Sequence, residues 1–233
     1  MKKKVFKSKP CTAGVIVGGV NGGIVKKAVK DGAEILEVRI DTFSDRGIDK
    51  LKKDFIKLKA LTDLPILLTV RSAKEGGKYP IDSEKRAEIF ENLIPFSDII
   101  DIELSSSEIM KDVVNSAKRK GKKVIISYHN FKSTPGESDL QGIIRKARQK
   151  GGDIVKIAAF AADPLDLKRL AGFLINSNDL IIIAMGQSGA ASRVFFPMLG
   201  SLVTYGSLTG STAPGQLSLK DLRKEFKRYG FKG

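Results

Sequence analysis

A chain of 233 residues, 42% hydrophobic and 29% charged, has the composition of one globular domain and excludes a disordered or fibrous chain. Its single cysteine, Cys11, and single histidine, His129, exclude an intramolecular disulfide, and zinc sites of four cysteines or of two cysteines and two histidines. A net charge of +15 raises the question of a polyanionic partner, but Lys26, Lys27, Lys52, Lys53, Lys57, Lys118, Arg119, Lys146 and Lys168 are scattered over helical segments, where a solvated outer face explains them.

The opening MKKKVFKSKPCTAGVIVGGV has the outline of a secretory signal. Its apolar part is short and broken by glycines, however, and it serves better as the first strand of a repeating pattern. No run reaches the roughly 18 to 20 apolar residues of a membrane span, so the expectation is a cytoplasmic protein without a membrane partner. The basic clusters KKK at the start and KEFKRYGFKG at the end lack the aromatic spacing of an RNA-binding motif, and no nucleic-acid partner is expected.

Apolar, β-branched runs then recur along the chain: 13–18, 35–40, 66–70, 98–104, 123–129, 153–160, 180–185 and 201–206. The stretches between them have helical periodicity and start signals, with Asp82-Ser83, Ser105 to Ser107 and Asp163-Pro164 opening helices and Gly32, Gly121 and Gly151 closing them. Strands buried on both faces and alternating with helices predict a parallel sheet, and about eight such units predict its closure into a single (β/α)8 TIM barrel spanning residues 1–233. An open doubly wound sheet is disfavoured. The turn GGVNGG at 18–23 is not a convincing dinucleotide fingerprint, and its glycines read as a tight turn.

In a barrel the chemistry lies at the C-terminal ends of the strands. There the second run carries Glu37, Arg39 and Asp41, the third ends in Arg71, the fourth holds Asp101 and Glu103, the fifth ends in His129 and the sixth carries Lys156. Strand alternation sets Glu37, Arg39 and Asp41 on one face, which suits a polar cavity. Lys156 interrupts an otherwise apolar strand, and a desolvated neutral amine is the nucleophile that converts a ketone or aldehyde into an iminium. The other reading of Lys156 is an ion pair with Glu103 or Asp153 inside the barrel. His129, taken alone, reads as a hydrogen-bonded structural residue; one strand from Lys156, it also suits a base that removes a proton beside an iminium. Two loops, 71–77 and 211–216, flank the expected mouth, the first bringing a cation and a carboxylate on a flexible segment.

Taken together, EVRID at 37–41, TVRSAKEGG at 69–77, SYHNF at 127–131, DIVKIA at 153–158, MGQSGAASR at 185–193 and STAPGQ at 211–216 resemble type I 3-dehydroquinate dehydratase over nearly the whole chain. The resemblance implies a lyase of the shikimate pathway that converts 3-dehydroquinate to 3-dehydroshikimate and water. It implies that Lys156 forms a Schiff base with the C3 carbonyl, that His129 is the general acid and base, and that Glu75 orients His129. It further implies Glu37, Arg39 and Arg71 around the substrate hydroxyls, Arg193 on the substrate carboxylate, Thr212 and Gln216 over that end, and Met185 lining the pocket. Neither cofactor nor metal is implied, and a homodimer is. Thr212 departs from the serine expected at its position.

Two other readings compete. A class I aldolase also uses a lysine on a late strand, but one acting on sugar phosphates calls for a glycine-rich phosphate site after strands 7 and 8, for which Gly186 to Gly189 is a thin candidate. A non-catalytic nucleic-acid-binding protein would account for the charge and leave the polar strand ends unexplained.

Overall fold

A computed structural model describes residues 11–230; the N-terminal basic cluster lies outside them, as do the last three residues of the C-terminal one. Strands β1 (Cys11–Ile16), β2 (Ile35–Arg39), β3 (Ile66–Thr69), β4 (Ile99–Glu103), β5 (Lys123–Asn130), β6 (Ile154–Phe160), β7 (Leu180–Met185) and β8 (Val203–Ser207) alternate with helices. The helices are α1 (Gly22–Lys30), α2 (Ile48–Leu61), α3 (Ser83–Leu93), α4 (Ser107–Arg119), α5 (Glu137–Gln149), α6 (Pro164–Ile175), α7 (Ser192–Met198) and α8 (Leu219–Arg228). The eight strands pair in parallel in the order β7-β6-β5-β4-β3-β2-β1-β8. Between β7 and β8 the seam is held by the Leu202 amide donating to the Leu180 carbonyl at 2.9 Å, so the sheet is a nearly closed (β/α)8 barrel.

Sequence-local chemistry explains the element ends. Asp82 and Asp163 accept from backbone amides of the first turns of α3 and α6, satisfying donors that have no partner within the helix. Gly32, Gly121 and Gly151 have φ of +87°, +65° and +92° just beyond α1, α4 and α5, the left-handed conformation that ends a helix with least steric cost in glycine. The turn after β1 uses Gly18 and Gly19 at φ of +74° and +151°, as a tight turn requires. Every lysine and arginine assigned above to a helix surface is exposed except the half-buried Lys52.

Outward-facing strand residues such as Leu36, Val38, Leu68, Ile100, Ile102, Ile126 and Ile157 pack against the helices in the larger core. A second apolar cluster fills the bottom of the barrel, with Cys11, Ile35, Leu67, Ile99, Ile125, Ile154, Ile181 and Val203. One strand period higher the interior turns polar, and this change of composition positions the site. No helix among the described residues is long and apolar enough to cross a membrane.

Candidate active site

Because successive inward positions are two residues apart, the layer above the apolar floor receives Glu37, Thr69, Asp101, Ser127, Lys156 and Tyr205, and the next receives Arg39, Arg71, Glu103, His129 and Met185. Glu37, Arg39, Arg71, Glu75, His129, Lys156, Met185, Arg193, Thr212 and Gln216, the residues singled out in the sequence, all line one cleft of about 480 Å³, counted to its open mouth at the C-terminal end of the strands. Phe131, Tyr205 and Ala213 line it as well.

Lys156 is 5% exposed at the base of this cleft. Its Nζ donates to Asp101 Oδ2 at 2.9 Å, lies 4.0 Å from Glu37 Oε1 and sits 4.3 Å from the centroid of the Tyr205 ring. The ion pair expected with Glu103 or Asp153 is therefore not the one formed. Glu103 lies one layer higher, bound to Arg71 and Arg86, and Asp153 precedes β6 at the opposite end, where Lys118 and Lys123 hold it.

Arg71 organises the centre. Its guanidinium reaches Asp101 Oδ1 at 3.0 Å and Glu103 Oε1 at 2.8 Å, and donates to Ser127 Oγ at 2.8 Å. Ser127 Oγ in turn donates to Asp101 Oδ1 at 2.6 Å. Burial opposes the charge on Asp101, but Arg71 and Lys156 outweigh it and hold the carboxyl well below the usual carboxylate range. Arg39 is similar: burial opposes its charge, while the bidentate pair with Asp41 at 2.8 Å on each arm favours it, and the net shift is upward.

His129 lies one strand from Lys156 and one layer higher. Glu75 Oε2 accepts from the His129 backbone amide and pairs with Nδ1, both at 2.9 Å. Burial, then the nearby charges of Arg71 and Lys156, push the imidazole well below its ordinary pKa. Glu75 is pushed up to about 7, because burial outweighs the hydrogen bond from Ser105 and the attraction of Arg71. The downward shift favours the neutral imidazole, with Nδ1 engaged by Glu75. The loop bearing Glu75 is closely packed: Gly76 has φ of +87° and lies under the Phe131 ring, and a side chain at Gly77 would collide with the Arg71 carbonyl. The glycines that suggest flexibility in the sequence serve close approach instead.

Arg193, on α7, is 3% exposed, and its guanidinium donates to the Pro214 carbonyl at 3.3 Å. Its Nε is buried without a partner, and no carboxylate among the described residues offsets its charge, so burial alone lowers its pKa to about 10. A buried guanidinium in this state can pair with an anion that enters the cleft. Beside it the loop after β8 is tied to itself, with Gln216 Oε1 accepting from the Thr212 amide at 2.6 Å and the Thr212 hydroxyl at 3.1 Å. Gly215, at φ of +74°, rests against the Gly186 carbonyl, while Met185 closes the wall at the end of β7.

Two residues escaped the sequence reading. Asp101 was visible as a strand residue but not as the partner of Lys156, although it shares inward parity with Glu103. Tyr205, whose hydroxyl is buried without a hydrogen-bond partner among the described residues, has its signal in the alternation of Val203 and Tyr205 on β8.

The family model described as type I 3-dehydroquinase matches residues 23–230. The chain belongs to the type I 3-dehydroquinase family. A 3-dehydroquinate dehydratase of Aquifex aeolicus is 40% identical over 208 residues, covering 88% of this chain and 93% of that protein. One from Hydrogenobaculum is 41% identical, covering 82% and 87%. The crystal structure of the 3-dehydroquinate dehydratase from Aquifex aeolicus VF5 superposes with a TM-score of 0.84 at 36% identity, over 94% of this chain and 99% of that one. A thiamine phosphate pyrophosphorylase from Pyrococcus furiosus, at 13% identity and a TM-score of 0.58, shares the fold alone.

Proposed function

We propose that the protein is a 3-dehydroquinate dehydratase, a hydro-lyase of the shikimate pathway, working through a Schiff base on Lys156 with His129 as general acid and base. The observation that carries the reading is the conjunction of a buried amine at the cleft floor, a neutral imidazole one strand away, and an unneutralised Arg193 at the wall. Relatives named 3-dehydroquinate dehydratase, at 40% identity across most of the chain, support the substrate.

The substrate carboxylate meets the Arg193 guanidinium, whose planar fork suits two carboxylate oxygens, and its hydroxyls meet Glu37, Arg39 and Arg71. Arg71 is also committed to Asp101 and Glu103, so it aligns the substrate as a fixed dipole. Lys156 passes its proton to Nε2 of His129 and attacks the C3 ketone; after the added proton moves from nitrogen to oxygen, His129 returns its proton to the carbinolamine hydroxyl, which leaves as water, and a cationic iminium remains. The iminium acidifies the C2 proton, which Nε2 of His129 removes. The resulting enamine expels the C1 hydroxyl, His129 returns its proton to that oxygen, and water hydrolyses the product iminium to free Lys156 and 3-dehydroshikimate. Glu75 holds Nδ1 throughout, and Thr212, Gln216 and Met185 cover the carboxylate end. No cofactor is called for, because the iminium is the electron sink. The same reading expects a cytoplasmic homodimer, which sedimentation equilibrium and cell fractionation test.

An aldolase acting on sugar phosphates fits less well. Gly189 is packed against the Ala184 carbonyl, which accounts for the glycine without a phosphate. The test is an absorbance assay for the conjugated enone with 3-dehydroquinate, run beside a panel of phosphorylated aldols. Activity on 3-dehydroquinate that falls by at least about 10³-fold in Lys156→Ala and about 10²-fold in His129→Ala is expected; cleavage of an aldol in place of dehydration would refute the reading.

A further inference from the structure

The run Ser105-Ser106-Ser107 opens α4 as the sequence suggests, yet no serine side chain caps the helix. Ser106 turns inward, accepting from Arg86 at 2.9 Å and donating to Glu103 Oε2 at 2.8 Å. Ser105 points the other way, across the mouth of the barrel, and its hydroxyl donates to Glu75 Oε1 in a short hydrogen bond. Glu75 is thereby held at both oxygens: Oε1 by Ser105 from the β4–α4 turn, Oε2 by the amide and Nδ1 of His129 from β5.

We propose that Ser105 is a positioning residue for the His129–Glu75 pair, its hydroxyl fixing one carboxylate oxygen so that the other keeps both bonds to His129. The inference rests on the reading of His129 as the proton-transfer group. A carboxylate held at one edge only is free to rotate about its last bond, which would release Nδ1 and allow Nε2 to swing from the substrate. Ser105 also donates to the charged form of Glu75 and so favours ionisation against the burial that opposes it. The other charged groups facing Glu75 are Arg71 from the end of β3, which favours the carboxylate, and Glu103 from β4, which opposes it. Those facing His129 are Arg71, Lys156, Asp101 and Arg39. Replacing Ser105 removes none of them.

The test is the pH profile of kcat/KM for 3-dehydroquinate in wild type, Ser105→Ala, Ser105→Thr and His129→Ala. Loss of the hydroxyl raises the pH at which Glu75 takes up a proton, and activity requires it ionised. The acidic limb of Ser105→Ala is therefore expected to move up by about one pH unit. Its kcat should fall about tenfold at neutral pH with KM little changed, while Ser105→Thr, which keeps the hydroxyl, restores the wild-type profile. A Ser105→Ala profile that superimposes on wild type would overturn the inference and leave the role of His129 standing, provided His129→Ala is inactive. Full activity in His129→Ala would overturn both. Melting curves of the exposed-turn variant verify that it is folded, and a shared loss of kcat without any shift of the acidic limb also counts against the inference.

Discussion

Asp101 and Lys156 pair at 2.9 Å beneath the open cleft, both buried, with Arg71 on the far side of the same carboxylate. One carboxylate thus serves two buried cations, of which Arg71 is paired with Glu103 as well, while Lys156 has its next nearest carboxylate, Glu37, at 4.0 Å. Removing the Asp101 charge is expected to cost stability as well as activity. Asp101→Asn should lower unfolding free energy by about 3 kcal/mol, the typical result of stranding a buried partner, and reduce dehydration at least tenfold, roughly, by misplacing Nζ. Because Asp101 is held below the ordinary carboxylate range, its contribution is present above the unfolded pKa near 3.9 and is lost only as pH falls below it. Urea unfolding of both proteins at neutral pH checks this; equal midpoints would show that Glu37, at 4.0 Å from Nζ, suffices.

Glu75 obeys the opposite sign. Its pKa rises on folding from 4.5 to about 7, so the unfolded chain gives up this proton first, and folding stability declines as pH rises through that interval. Above about 7 the folded protein carries the whole penalty of an ionised buried carboxylate. Glu75→Gln removes that titration. Relative to wild type, the variant should gain about 2–3 kcal/mol, or roughly 5–10 °C in Tm, between pH 5 and pH 8, while losing most of its activity at both. A Tm difference that is the same at the two pH values would contradict the assigned shift.

Arg193 makes the converse case, a cation with nothing to neutralise it among the described residues. Arg193→Met should leave Tm unchanged or raise it, since a poorly satisfied buried charge is replaced by an apolar chain. The same variant should raise KM for 3-dehydroquinate by about 10²-fold, the scale of a lost bidentate carboxylate contact. Arg193→Lys, keeping the charge without the fork, should fall between. Steady-state kinetics with paired melting curves decide; an unchanged KM would assign the carboxylate to another group.

Much of this arrangement is legible in residue order, for physical reasons. Runs such as LIIIAM coincide with β7 because fully buried parallel strands must be apolar on both faces, and Lys156 stands out by violating that rule. Ends are less legible: β1 takes in Cys11 and Thr12, which pair with Val203 and Thr204 of β8, while Ser201 precedes β8 in the turn bonded to Ile182. The sequence places Asp101 and Glu103 together on the fourth strand, but which carboxylate meets Lys156 depends on the stagger between strands, and register is invisible in a linear pattern. Ser105 reads as a helix start for the same reason: its partner Glu75 follows β3 and is brought to it only by the pairing of β3 with β4.

The most direct test of the central claim is borohydride reduction of the protein in the presence of 3-dehydroquinate, followed by peptide mass spectrometry. The account predicts one stable adduct, on the peptide carrying Lys156, and none in Lys156→Ala. An adduct on a different lysine, or no adduct from a sample that is actively producing the enone, would contradict Schiff-base catalysis by Lys156.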